Sequence, residues 1–206
     1  MPSVYDLKPK FQALLRPITN GLASAAVSAN QITVSATLLS LTTGVCIFSF
    51  RTSTRVLLLL PAVLFVRMAL NAIDGMLARE HNQKTALGAI LNELGDVISD
   101  SSLYLPLAVI PIFNAPLMVL IVLFAVFTEM TGVVATQIGA SRRYDGPMGK
   151  SDRAFVFGAL GLLLGLQLPI SLVVQPVLWI VLVLLVFTIF NRSGRALNEV
   201  KGRSAS

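Results

Sequence analysis

"NAIDGMLAREHNQKTALGAILNELGDVISD", Asn71 to Asp100, holds five of the chain's ten acidic residues: Asp74, Glu80, Glu93, Asp96 and Asp100. The surrounding chain is poor in charge. Of its 206 residues 55% are hydrophobic and 13% charged, against about 25% charged in ordinary soluble domains. With a mean hydropathy of +0.79, this composition predicts a membrane-embedded protein. An acid at the centre of a membrane helix costs about 2.5–3.5 kcal/mol on insertion scales and usually faces a polar cavity. The stretch therefore predicts a functional centre.

Spacing gives that centre a shape. Asn71, Asp74 and Ala78 lie three and four residues apart and share one helical face, with Arg67 one turn earlier. Gly88, Asn92, Asp96 and Asp100 form a ladder at every fourth position. The short connection at Glu80–Lys84 predicts two antiparallel helices whose polar faces meet. Gly75, Ala78, Gly88 and Gly95 leave room for a backbone or a ligand. Carboxylate and carboxamide oxygens, without Cys or His, suit a hard cation, Mg2+ or Mn2+. Such an ion neutralises phosphate charge, which points to phosphoryl transfer. The alternative is a polar seam that only specifies helix packing.

Working outward, six spans are predicted at about 31–50, 56–79, 85–110, 115–139, 153–173 and 176–195, each near the roughly 20 residues that cross a bilayer. With the N-terminus placed inside, thirteen basic residues fall on the cytoplasmic side: Lys8, Lys10, Arg16, Arg79, Lys84, Arg142, Arg143, Lys150, Arg153, Arg192, Arg195, Lys201 and Arg203. Arg51 and Arg55 fall outside and Arg67 within a span. This bias predicts both termini in the cytoplasm and explains the net charge of +6 without a nucleic-acid partner. Trp179 falls near the outer end of the last span.

No cleavable signal peptide is expected in residues 1–25. Val4, Leu7, Phe11, Leu14, Leu15, Ile18 and Leu22 instead trace one apolar face, the pattern of an amphipathic helix lying in the membrane interface. Pro9 and Pro17 keep a disordered tail as the alternative. The organisation expected is therefore an interfacial helix over 1–25 and a six-helix membrane domain over 26–206. A single Cys46 and a single His81 exclude a disulfide framework and a His-cluster zinc site.

The motif resembles the signature of the class-I CDP-alcohol phosphotransferases, D-x2-D-G-x2-A-R-x8-G-x3-D-x3-D. Here it reads Asn71, Asp74, Gly75, Ala78, Arg79, Gly88, Asn92 and Asp96, with no gap. "SANQIT", Ser28–Thr33, is similar to the Pro-Asn-x-x-Thr element before the family's first span, with Ala29 in place of Pro. Six spans after a surface helix match the family's architecture. The resemblance implies transfer of a substituted phosphate, phosphatidyl above all, from a CDP-linked lipid such as CDP-diacylglycerol to an alcohol acceptor, with release of CMP in phospholipid biosynthesis. It implies metal ligands among Asn71, Asp74, Asn92 and Asp96, with Asp96 as the base. Gly75, Ala78, Arg79 and Gly88 would line the nucleotide, and Asn30 and Thr33 would help close it. A compact chain in which no targeting segment is seen predicts a bacterial inner-membrane protein, working at the cytoplasmic face among membrane lipids, and the resemblance allows a homodimer.

Asn71 and Asn92 stand at two of the four acid positions, which halves the formal charge of the site. One metal then suffices, or Asp100 or Glu93 supplies a replacement carboxylate, or transferase activity is lost. The last option makes the chain a CDP-lipid-binding or regulatory protein. Arg67, Glu129 and Asp100 within spans suggest a third class, a small transporter, for which the gapless motif offers no reason. Glu129 needs a buried partner, for which Arg67 is a candidate. Lys150, Arg153 and Arg192 are candidates for an acceptor pocket that takes a phosphorylated alcohol; the alternative is that they only mark the inner face.

Overall fold

The computed structural model describes residues 4–204. The side chains of residues 1–8, and with them the expected positions of Val4, Leu7 and Lys8, lie outside the described residues. Among the described residues seven α-helices follow one another: α1 (Val4–Ser24), α2 (Ala29–Ser49), α3 (Leu59–Glu80), α4 (Ala86–Tyr104), α5 (Ala115–Val134), α6 (Lys150–Gly165) and α7 (Ser171–Ser204). Short 3-10 turns, Thr54–Leu58, Leu105–Val109 and Ala135–Ile138, lead into α3 and extend α4 and α5.

Helices α2 to α7 stand at the six expected spans. Four stretches are long and apolar enough to cross a membrane: Ala29–Ser49, Thr54–Glu80, Ala115–Ile138 and Ser171–Arg203. Helix α4 is too polar, with Asn92, Glu93, Asp96 and Asp100 along it. Helix α6 has 16 residues and stops short of the expected end at 173. Gln167 turns left-handed at φ 60°, and the Leu168 amide donates back to the Leu163 carbonyl at 3.0 Å. This closure uses up the end of the helix. Pro176, expected to open the last span, lies inside α7.

Apolar side chains such as Val45, Phe65, Phe127, Phe187 and Phe190 point outward. Apolar contact gives little drive for helix association in lipid, so shape and polar links must hold the bundle. Shape is supplied by a core containing Ile47, Leu60, Leu103, Met118, Phe157 and Leu178, where the Tyr104 and Phe157 rings stack at 4.4 Å. Helix α2 packs closely against both α3 and α4, and α5 packs against α7. Gly44 makes the α2–α4 contact feasible, since a Cβ there would run into the backbone of Ser102.

Helix α1 forms despite its two prolines. Leu15 is buried in a small cluster with Ile73, Met76 and Leu77 of α3, while Leu14 and Ile18 on the same apolar face stay exposed. The Arg16 guanidinium reaches Glu80 at 3.0 Å, which ties α1 to the end of α3. The expected face is thus shared between the bundle and the surroundings.

Candidate functional site

The start of α2 and the α3–α4 loop build one wall. Ser28 caps α2: its hydroxyl accepts from the Gln31 amide at 3.2 Å, while the Gln31 side chain accepts from the Ser28 amide at 2.9 Å. The Gln83 side chain accepts from the Ala29 amide at 2.7 Å, pinning the loop to this cap. Thr85 caps α4 by accepting from the Gly88 amide at 2.9 Å and receives the Asn30 amide at 3.4 Å. A Cβ at Gly88 would stand 2.7 Å from Asn30 Oδ1, so only glycine leaves Asn30 its place. One turn into α2, the Thr33 hydroxyl donates to Asp74 Oδ2 at 2.8 Å. The structure therefore brings Asn30, Thr33, Asp74 and Gly88 together.

The polar faces of α3 and α4 meet in antiparallel register through their side chains. Asn71 Nδ2 donates to Asp96 Oδ1 at 3.2 Å. One turn back on α3 and one turn forward on α4, Arg67 Nη1 donates to Asp100 Oδ1 at 2.9 Å. Arg67 also lies 3.6 Å from Asp96. Lys150, first residue of α6, places Nζ 2.5 Å from Asp96 Oδ2. Arg79 is exposed, with its guanidinium folded back over Gly75, where a Cβ would stand 3.0 Å from Nη2. Ala78 is half-buried beside it. Asn92 is exposed and no hydrogen bond ties it to the cluster among the described residues.

The remaining candidates are committed to one another. Asp100 is buried with both oxygens engaged, Oδ1 by Arg67 and Oδ2 by Arg153 at 2.9 Å. A metal at Asp100 would have to displace a guanidinium. Glu129 does not pair with Arg67; its partners are Arg153 at 3.1 Å, Arg142 at 3.0 Å and Arg192 at 3.4 Å. Glu93, the other candidate for a replacement carboxylate, accepts two bonds from Arg142 at 2.8 and 2.9 Å. Arg192 also donates to the Thr128 carbonyl. Arg153 and Arg192 are thus buried members of a network joining α3, α4, α5, α6 and α7. Charge within or beside an apolar span points to each of these residues except Arg142, whose double role has no signal in the sequence beyond its charge.

The donor set can be tested against a metal. Among the described residues no three His, Cys, Asp or Glu side chains converge as a metal cage. Asp74 and Asp96, with the carboxamides of Asn71 and Asn92, are hard oxygen donors. Mg2+ is usually held by one or two carboxylates, with water and substrate phosphate completing its shell. This donor chemistry fits such a divalent ion.

These helices, and the motif they carry, place the chain in the CDP-alcohol phosphatidyltransferase family, whose profile matches residues 26–190. Inner membrane protein YnbA of Escherichia coli (strain K12) is 49% identical over 191 residues, covering 92% of this chain and 94% of that one. The fold is similar to that of Mycobacterium tuberculosis phosphatidylinositol phosphate synthase (PgsA1). The form with CDP-DAG bound has a TM-score of 0.71 at 21% identity, covering 89% of this chain and 92% of that one. The form with manganese and citrate has a TM-score of 0.72 at 21% identity, covering 89% and 87%.

Proposed function

We propose that this protein is an integral-membrane transferase that moves a phosphatidyl group from CDP-diacylglycerol, or a related CDP-lipid, to an alcohol and releases CMP. The observation that carries the reading is the convergence of Thr33 and Asp74 with Asn71, Asp96 and Lys150 on a gapless family motif. The CDP-DAG and manganese named for the PgsA1 structures support a CDP-lipid donor and a divalent ion.

In this reading Asp74 and Asp96, helped by the Asn71 and Asn92 oxygens, hold Mg2+ or Mn2+. When bound, the ion neutralises charge on the pyrophosphate. Gly75, Ala78 and Gly88 leave room for the nucleotide, Arg79 offers its exposed guanidinium to phosphate, and Asn30 and Thr33 close that side. Asp96 is the base that takes the proton of the acceptor hydroxyl. The hydroxyl oxygen bonds to the β-phosphorus. The bond from that phosphorus to the oxygen bridging to the α-phosphate breaks, and CMP leaves with the electron pair.

Six crossings, with α4 and α6 included, would put the site at the cytoplasmic face, both termini inside, and α1 at the interface over 1–25. The thirteen-to-two basic bias supports this orientation, and the YnbA likeness supports a bacterial inner membrane.

The test is CMP release by purified protein from CDP-diacylglycerol with Mg2+ or Mn2+ and a panel of alcohols. Release that needs the ion and disappears in Asp96→Asn is expected. The two asparagines favour a second reading, a CDP-lipid binder without turnover. CDP-lipid bound but never cleaved would select it.

A further inference from the structure

Every arginine around the inner part of the site already has an acid. Arg142 is shared by Glu93 and Glu129, Arg153 by Asp100 and Glu129, Arg192 is held by Glu129, and Arg67 by Asp96 and Asp100. Glu129 is the hub. It projects from α5 into three guanidiniums that come from the following loop, from α6 and from α7. The Arg153 and Arg192 side chains are 1% and 2% exposed and that of Glu129 11% exposed, so water does not screen the pairing.

An acceptor hydroxyl must reach Asp96, and this network forms the surroundings of Asp96 on the side of α5, α6 and α7. A phosphate-bearing acceptor needs uncompensated donors there, since charge-assisted bonds to phosphate come from free guanidinium forks. Here each guanidinium is already paired with a carboxylate. Among the described residues Lys150 is the other cation at Asp96, and its partner is Asp96 itself. A second anion placed there would have to displace Glu129, Asp100 or Glu93 from the guanidiniums they hold.

We propose that the acceptor is an uncharged alcohol, and that Glu129, together with Glu93 and Asp100, sets this preference by engaging Arg142, Arg153 and Arg192. The proposal rests on the transferase reading above and names its second substrate class. Positive charge in the sequence suggests a phosphorylated acceptor; the pairing of that charge reverses the expectation.

The test compares glycerol and myo-inositol with their monophosphates as acceptors, in CMP release from CDP-diacylglycerol by the full-length protein. The wild type is expected to use an uncharged alcohol with kcat/KM at least about tenfold above its phosphate ester. Glu129→Gln should shift the ratio toward the ester by about tenfold. Because that variant leaves buried arginines unpaired and is at risk of misfolding, Glu93→Gln, which frees part of Arg142, provides a milder version with a smaller shift in the same direction. A wild type that prefers the phosphate ester overturns the proposal. So does a folded Glu129→Gln with an unchanged ratio. Absence of CMP release with every alcohol defeats the transferase reading instead. In that case calorimetric titration with glycerol 3-phosphate decides: binding gained only in Glu129→Gln supports the neutralisation, and saturable binding by the wild type overturns it.

Discussion

Lys150 Nζ stands 2.5 Å from Asp96 Oδ2, joining the first residue of α6 to the last acid of the motif on α4. The ammonium holds an oxygen that the proposed divalent ion would also seek, in a site with carboxamides at Asn71 and Asn92. Lys150→Met removes the competitor. Mn2+ binding, followed by electron paramagnetic resonance, should tighten by about tenfold, while CMP release falls because Asp96 loses an orienting partner. Unchanged Mn2+ affinity would show that the ammonium and the ion do not share that oxygen.

Thr33 donates to Asp74 from a neighbouring helix. Partners of this kind fix the orientation of a metal-binding carboxylate, and losing one typically weakens metal affinity by about 10–100-fold. Thr33→Val should show this loss in an Mn2+ titration without altering the helical circular-dichroism signal. Retained affinity would remove Asp74 from the set of metal ligands.

The double change Asn71→Asp with Asn92→Asp restores the four-acid pattern. Asn71 now gives a hydrogen bond to Asp96; an aspartate there would repel it until an ion arrives. The double variant should melt below the wild type without metal, recover with Mn2+, and bind two ions per chain where the wild type binds one. Equal stoichiometry in both proteins would contradict the one-ion site.

Arg153 bridges Asp100 and Glu129 with a side chain that is 1% exposed. Removing one member of a buried pair leaves uncompensated charge and destabilises by about 3–5 kcal/mol. Arg153→Met should lower the detergent-solubilised midpoint accordingly, with Arg195→Met, an exposed pair, nearly neutral.

In the loop between α5 and α6, burial works to raise the Asp145 carboxyl, yet the hydrogen bond and charge of Arg143 and the charge of Arg195 hold it below its ordinary value of 3.8. A depressed folded-state pKa contributes stability above the unfolded value, lost as pH falls through the folded one. The loop should therefore resist amide exchange at neutral pH and open only as the pH drops below about 3.8. Asp145→Asn should open it already at pH 7. Similar exchange in both proteins at pH 7 would show that the charge does not hold the loop.

The motif is legible because it is local: residues three and four apart share a face whatever the tertiary fold, so spacing alone places Asn71, Asp74 and Asp96. Helices α2, α3 and α5, counted with their 3-10 turns, are legible to within two residues, since their apolar runs end at polar residues such as Ser28 and Asn114. The short α6 is not, because its end depends on Gln167 turning left-handed, which no residue preference announces. Nor is the partner of Glu129. Arg67, the candidate partner for Glu129 in the sequence, pairs with Asp100 instead, through the antiparallel register that also sets Asn71 against Asp96. Bringing Arg142, Arg153 and Arg192 to Glu129 requires knowing how α5, α6 and α7 lean together, which is information carried by non-local packing.

The partners of Glu129 all lie downstream of it in the chain, at 142, 153 and 192. A ribosome making this protein releases the acid first and its last arginine more than sixty residues later. Arg142 follows Glu129 by 13 residues, whereas Arg192 follows only with α7. The Glu129 centre is thus complete only once α7 has been made, and a nascent chain that stops before Arg192 carries the motif but not its finished surroundings.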